Sequence, residues 1–156
     1  MTTIDSMTVR PSDLVYPVLC LSRRAGITVV RSPEEFGRSS AALVWRGGFY
    51  AGLRVVDAAG AAYDVVTADV VRPRSAAGRA LARLLGAGVR VAAELRPAGP
   101  AALDELRARV RAEVEDDPEA LEEMTGRAAA WWHEALARCA DAGAVVRAVD
   151  AAARTG

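Results

Sequence analysis

The 156-residue chain contains no Lys, no Asn and no Gln, so arginine supplies its permanent side-chain cations. Without lysine there can be no Schiff-base lysine and no P-loop lysine. Without asparagine a Cys–His–Asn catalytic site is excluded. The three missing residue types share A-rich codons, which indicates a GC-rich coding sequence and favours a bacterial source.

Histidine and cysteine are also scarce, at one and two residues. A single histidine, His133, excludes multi-histidine metal sites, and Cys20 and Cys139 lie too far apart in the sequence for a CxxC motif. We therefore expect no catalytic set, no metal and no cofactor, and we do not expect an enzyme.

Long apolar runs and a basic, apolar leader are absent as well. The sequence lacks a stretch of about 18 apolar residues, the length that a membrane span requires, and the polar N-terminus shows no secretory signal. We expect a cytoplasmic protein with reduced thiols and no membrane partner. Its length predicts one domain over 13–156, preceded by a flexible tail at 1–12.

The strand signals lie in the N-terminal half. The clearest is Leu53–Val71, two valine-rich runs joined by D-A-A-G, in which Asp57 and Gly60 occupy positions that turns favour. Leu14–Ser22 and Ile27–Arg31 predict another hairpin, with Pro17 indicating an edge strand or a bulge. Residues 89–96 alternate between apolar and polar side chains, which indicates a half-buried strand.

The helical signals are mainly C-terminal. Short helices are predicted after Ser32 and after Ser75, between the strands. From Pro97 the apolar period changes from two to 3.6, and three to four helices follow, one of them carrying Leu121 and Met124 on a short segment. The predicted fold is α+β: an antiparallel sheet with inserted short helices, packed against a C-terminal helical segment.

Charge is unevenly distributed along the chain. Residues 1–99 hold 13 Arg and 8 Asp or Glu, a net +5, whereas residues 100–156 hold 7 Arg and 12 acids, a net −5. An acidic run without an intervening cation can steer a basic partner. It can equally be a solvated junction between two helices. The run consists of Glu113, Glu115, Asp116, Asp117, Glu119, Glu122 and Glu123.

The N-terminal arginines offer an alternative site, because guanidinium groups bind phosphate bidentately. Against this, no nucleic-acid-binding motif accompanies them, and arginine must supply the ordinary surface cations here. Nucleic acid is therefore an unexpected partner. The candidate anion-binding residues are Arg23, Arg24, Arg46, Arg54, Arg72 and Arg74.

Trp131-Trp132-His133-Glu134 is the remaining candidate. Adjacent tryptophans on a helix point about 100° apart, so one of them can anchor a protein interface. A packed aromatic face with a bystander histidine is the alternative. Any partner of His133 must come from another element, such as Asp64, Asp69 or Ser40.

Three segments within residues 14–72 resemble small bacterial immunity proteins of polymorphic toxins. They are Y-P-V-L at Tyr16, the S-P-E-E helix start at Ser32, and Y-A-G-L-R-V-V-D-A-A-G from Tyr50. The resemblance implies a compact α+β protein, often encoded beside a toxin, that binds and blocks it without catalytic residues. We expect an interaction protein whose acidic helices, with Trp131 and Trp132, bind a basic protein partner. The sequence does not predict an oligomeric state.

Overall fold

A computed structural model of the protein describes residues 8–22, 26–38, 53–71 and 90–154, without the side chains of 67–71 and 90–92. Within these ranges, five strands form one antiparallel sheet and four helices follow it. This confirms the predicted α+β class. In their order across the sheet, the strands are β2 (Gly26–Val30), β1 (Val18–Ser22), β3 (Arg54–Asp57), β4 (Ala61–Val71) and β5 (Arg90–Pro100).

Both faces of the sheet are covered, as the valines at both parities of the central hairpin indicate. Successive side chains of a strand point to opposite faces. Val56 accordingly lies in a core shared with the C-terminal helices, whereas Val55 lies in a second core around Phe36 and Leu95. The sheet is thus the central layer of the described molecule.

The predicted hairpin within Leu53–Val71 is present, and Asp57 holds its turn. Asp57 Oδ1 accepts hydrogen bonds from the amides of Ala59 and Ala61 at 3.1 and 3.0 Å. The Gly60 amide donates to the Asp57 carbonyl at 2.9 Å. Gly60 has φ +84°, a conformation that glycine adopts without steric cost. The turn roles of Asp57 and Gly60 are confirmed.

Pro17 does not mark an edge strand, which corrects the sequence prediction. Strand β1 begins at Val18, one residue after the proline, and lies between β2 and β3. Because Pro17 precedes the paired residues, its missing N–H removes no hydrogen bond from the ladder. An interior strand is therefore compatible with this proline.

Strand β5 has the predicted alternation but continues further than predicted. Ala93 and Leu95 are buried, while Glu94 and Arg96 are exposed. The strand continues to Pro100, over residues where a helical period was predicted to begin. Among the described strands β5 lies at an edge, the position in a sheet that tolerates proline.

Residues 8–12, part of the predicted flexible tail, lie against the sheet. Val9 and Leu95 exchange backbone hydrogen bonds of 2.7 and 2.9 Å. Pro11–Asp13 form a 3-10 turn, and the Tyr16 hydroxyl donates to the Pro11 carbonyl at 2.7 Å. A one-residue bridge has no periodicity that sequence could reveal. Residues 1–7 lie outside the described ranges.

The inserted helix after Ser32 forms as predicted over its described part, α1 (33–38). The Glu35 amide donates to Ser32 Oγ at 3.1 Å, and Phe36 is fully buried. The Glu35 carboxylate accepts from the amide of Arg31, the residue before the cap residue Ser32. The rest of this predicted helix and the one after Ser75 lie outside the described residues.

Four C-terminal helices follow β5, in agreement with the predicted three to four. They are α2 (Leu103–Asp116), α3 (Pro118–Thr125), α4 (Ala129–Arg138) and α5 (Ala142–Arg154). The Ala144 amide donates to Asp141 Oδ1 at 2.8 Å, so Asp141 caps α5. Leu106, Val110 and Val114 form the buried stripe of α2.

Helix α5 joins the helical layer to the turn of the hairpin. Arg147 Nη1 donates to the Ala58 carbonyl at 2.8 Å. A Cβ atom added at Gly143 would lie 2.4 Å from that carbonyl oxygen, so this close approach requires glycine. Near the other end of α5, the Asp150 carboxylate accepts from Arg31 Nε at 2.7 Å and from Arg154 Nε at 3.0 Å.

Candidate protein-binding surface

The predicted acidic residues lie where α2 ends and α3 begins, at one corner of the helical layer. The valine and leucine stripe of α2 faces the core, which leaves the acids of its last turn outward. Asp117 Oδ1 accepts from the Ala120 amide at 3.1 Å and so starts α3, with Pro118 at its first position. We call the set the acidic corner: Glu113, Glu115, Asp116, Asp117, Glu119, Glu122 and Glu123.

Three members of the acidic corner have partners. Glu113, the one half-buried member, forms an ion pair with Arg109 at 3.2 Å. Glu115 Oε1 lies 3.9 Å from Nε2 of His133 on α4. Asp117 is occupied as a helix cap. The sequence contains the Arg109–Glu113 pair as an i,i+4 spacing, whereas the contact of Glu115 with His133 depends on the packing of two helices.

The other four members are exposed and form no ion pair with any described residue: Asp116, Glu119, Glu122 and Glu123. Because α3 is only eight residues long, its three glutamates lie within two turns of one another. Like charges at this spacing repel one another weakly. A cationic partner would relieve that repulsion.

Met124 adds an apolar group beside these charges. The sequence places it with Leu121 on α3, but only Leu121 packs against the core. Met124 is 71% exposed, the most exposed large apolar side chain in the described ranges. Flexible methionines suit surfaces that adapt to a partner. Met124 is not among the residues predicted for the candidate surface, because its exposure follows from the way α3 packs.

Trp132 is removed from the candidate surface, which corrects the prediction. It is 4% exposed and lies in the core that the helices share with the sheet. Trp131 is half-buried and packs against that core, its ring 5.3 Å from that of Trp132 in an edge-to-face arrangement. Arg127 lies over the Trp131 ring at 4.6 Å. Only part of the Trp131 side chain is therefore exposed and able to contact a partner.

Of the alternative arginine site, the described residues include Arg54 alone. Arg54 Nε forms an ion pair with Asp64 Oδ1 at 3.1 Å, so its guanidinium is already occupied. The other five candidates lie outside the described ranges: Arg23, Arg24, Arg46, Arg72 and Arg74.

Neither cysteine offers an activated thiol. Burial raises the pKa of Cys20 to about 12, which leaves almost no thiolate at neutral pH. Burial also raises the pKa of Cys139, whose thiol donates to the Ala135 carbonyl at 3.3 Å. Burial, followed by the charge of Asp57, raises the pKa of Tyr63. These shifts come mainly from packing in the core.

In the described part of the chain, no three His, Cys, Asp or Glu side chains are grouped closely enough to hold a metal ion. None of its helices combines the length and the apolar character that a membrane span requires. In comparisons with protein-family models, with curated proteins and with solved structures, no match to this chain is found.

Proposed function

We propose that the protein is a non-enzymatic interaction protein, of the immunity or inhibitor type, that binds a basic protein partner through the acidic corner. The observation that carries the proposal is the group of four exposed carboxylates without an ion pair among the described residues. Such a patch raises the association rate with a cationic surface by electrostatic steering. The partially exposed Trp131 and the exposed Met124 supply apolar area for the same interface.

The resemblance of residues 14–72 to toxin immunity proteins supports a particular class of partner. A bacterial toxin domain with a basic active-site cleft, such as a nuclease, has the complementary charge. An inhibitor that covers such a cleft can present carboxylates where the substrate presents phosphates. This function places the protein in the bacterial cytoplasm, where it would protect the cell that makes the toxin.

The test is capture of partners from a native lysate of the source organism by the purified protein. The variant Glu119→Gln, Glu122→Gln, Glu123→Gln removes three charges and keeps the side-chain shapes. We expect it to bind the captured partner about tenfold more weakly, since each exposed ion pair contributes roughly 0.2–1 kcal/mol. Most of the loss should be in the association rate, and it should shrink as salt rises.

A charge-matched control changes three exposed acids outside the corner: Glu34→Gln, Asp104→Asn and Glu105→Gln. This control should bind the partner as the wild type does. Equal binding by the wild type and the corner variant would exclude the acidic corner as the interface. Equal loss in both variants would indicate dependence on net charge alone.

A further inference from the structure

The contact between His133 and Glu115 joins α4 to the acidic corner. The 3.9 Å between Nε2 and Oε1 is too long for a hydrogen bond but within range of an ion pair. The two groups therefore interact through charge, and only when the imidazole is protonated. The side chains are 39% and 67% exposed, so protons and partners both have access to them.

Glu115 is the only charged group that forms an ion pair with His133 in the described structure. On α4 itself, Glu134 pairs with Arg138, and just before that helix Arg127 lies over Trp131. On α2, Arg111 precedes Glu115 by one turn and has no ion pair among the described residues. Glu105 and Asp116, also on α2, form no ion pair with a described residue. The remaining charged groups of the packed helices α2 and α5 have other partners: Asp104, Arg107, Arg109, Glu113, Arg147, Asp150 and Arg154.

We propose that His133 makes binding at the acidic corner pH-dependent, an inference that rests on the proposed function. Histidine is the side chain that ordinarily changes charge between pH 5 and 8. When Nε2 takes up a proton, the imidazolium pairs with Glu115 and cancels one charge of the corner. It also places a cation beside the surface that a basic partner approaches. Acidification therefore weakens binding, and neutral pH restores it.

The experiment measures binding of a fluorescein-labelled nona-arginine peptide by fluorescence polarisation at pH 7.5 and at pH 5.5, at constant low salt. The proteins are the wild type and His133→Asn, which is uncharged at both pH values. We expect the wild type to lose about threefold more affinity on acidification than the variant does, since one exposed charge contact is worth that much. His133 is the only histidine of the chain, so the difference between the two proteins isolates its charge.

A second variant, His133→Arg, carries the charge at both pH values. It should bind the peptide at pH 7.5 about threefold more weakly than the wild type, as a protonated histidine would. Identical pH dependence in the wild type and His133→Asn overturns this inference and leaves the proposed function intact. No binding of the peptide by the wild type at either pH contradicts both the acidic interface and the switch.

Discussion

The carboxylate of Asp57 and the exposed carboxylates of the acidic corner have opposite surroundings. At the hairpin turn, Asp57 is 1% exposed and its carboxylate accepts three backbone amides, those of Val15, Ala59 and Ala61. At the acidic corner, Asp116, Glu119, Glu122 and Glu123 are exposed and form no ion pair with described residues. A buried carboxylate that is hydrogen-bonded within the fold stabilises the structure, whereas an exposed carboxylate can bind a partner.

The hairpin turn should be the more sensitive region to substitution. Asp57→Ala leaves three amides without their acceptor at a partly buried turn. We expect the free energy of unfolding to fall by about 3–4 kcal/mol, measured by urea denaturation. Asp64→Ala is the control, because Asp64 lies on the neighbouring strand in an exposed pair with Arg54 and should cost less than about 0.5 kcal/mol. Similar costs for the two substitutions would contradict the role given to Asp57.

The contact between α5 and that turn should be nearly as sensitive to substitution as Asp57 is. Gly143→Ala places a Cβ atom against the Ala58 carbonyl oxygen, so either the helix or the turn must move. We expect a loss of about 2 kcal/mol in unfolding free energy from this overpacking. In Ala151→Gly, on the exposed side of the same helix, the loss should be about 1 kcal/mol, from helix propensity alone. If Gly143→Ala stabilised the protein, a Cβ atom would fit between α5 and the Ala58 carbonyl oxygen, and the close approach would not require glycine.

Substitutions in the acidic corner should change the free energy of unfolding least and the affinity for a partner most. Changing Glu119, Glu122 and Glu123 to Gln removes like-charge repulsion and no buried contact. We expect the free energy of unfolding to change by less than about 0.5 kcal/mol, in the stabilising direction at low salt. Thermal unfolding at low and at high salt checks this. A large destabilisation would mean that these side chains support the fold, and the contrast between the two regions would fail.

Much of the fold was predictable because its signals are local. The Asp57–Gly60 turn, the Ser32 cap, the Asp117 cap and the Asp141 cap each join residues within four positions, where backbone chemistry decides the outcome. The alternation along β5 and the stripe on α2 are also short-range patterns. The corner was predictable as a run of acids, since Leu106, Val110 and Val114 already determine which side of α2 faces inward.

The errors concern how the elements pack together. Pro17 indicates an edge strand or a bulge, because the sequence pattern does not show that the pairing of β1 starts one residue later. The exposures of Met124 and Trp132 are not determined by the sequence alone, because each depends on which neighbouring helix covers which face. The partner of His133 came from α2 and was not among the residues proposed from the sequence, since nothing local links positions 115 and 133.

By itself, the sequence determined the α+β class, the hairpin, most helix starts and the concentration of acid at the α2–α3 junction. Short-range backbone preferences and the period of apolar residues decide these features. The tertiary structure alone decided that Asp57 also accepts a hydrogen bond from the distant Val15 amide, and that four corner carboxylates have no ion pair among the described residues. It also decided that Trp132 is buried and that His133 faces Glu115. Those properties depend on distances between elements far apart in the chain, which hydrophobic packing of the sheet and helices sets.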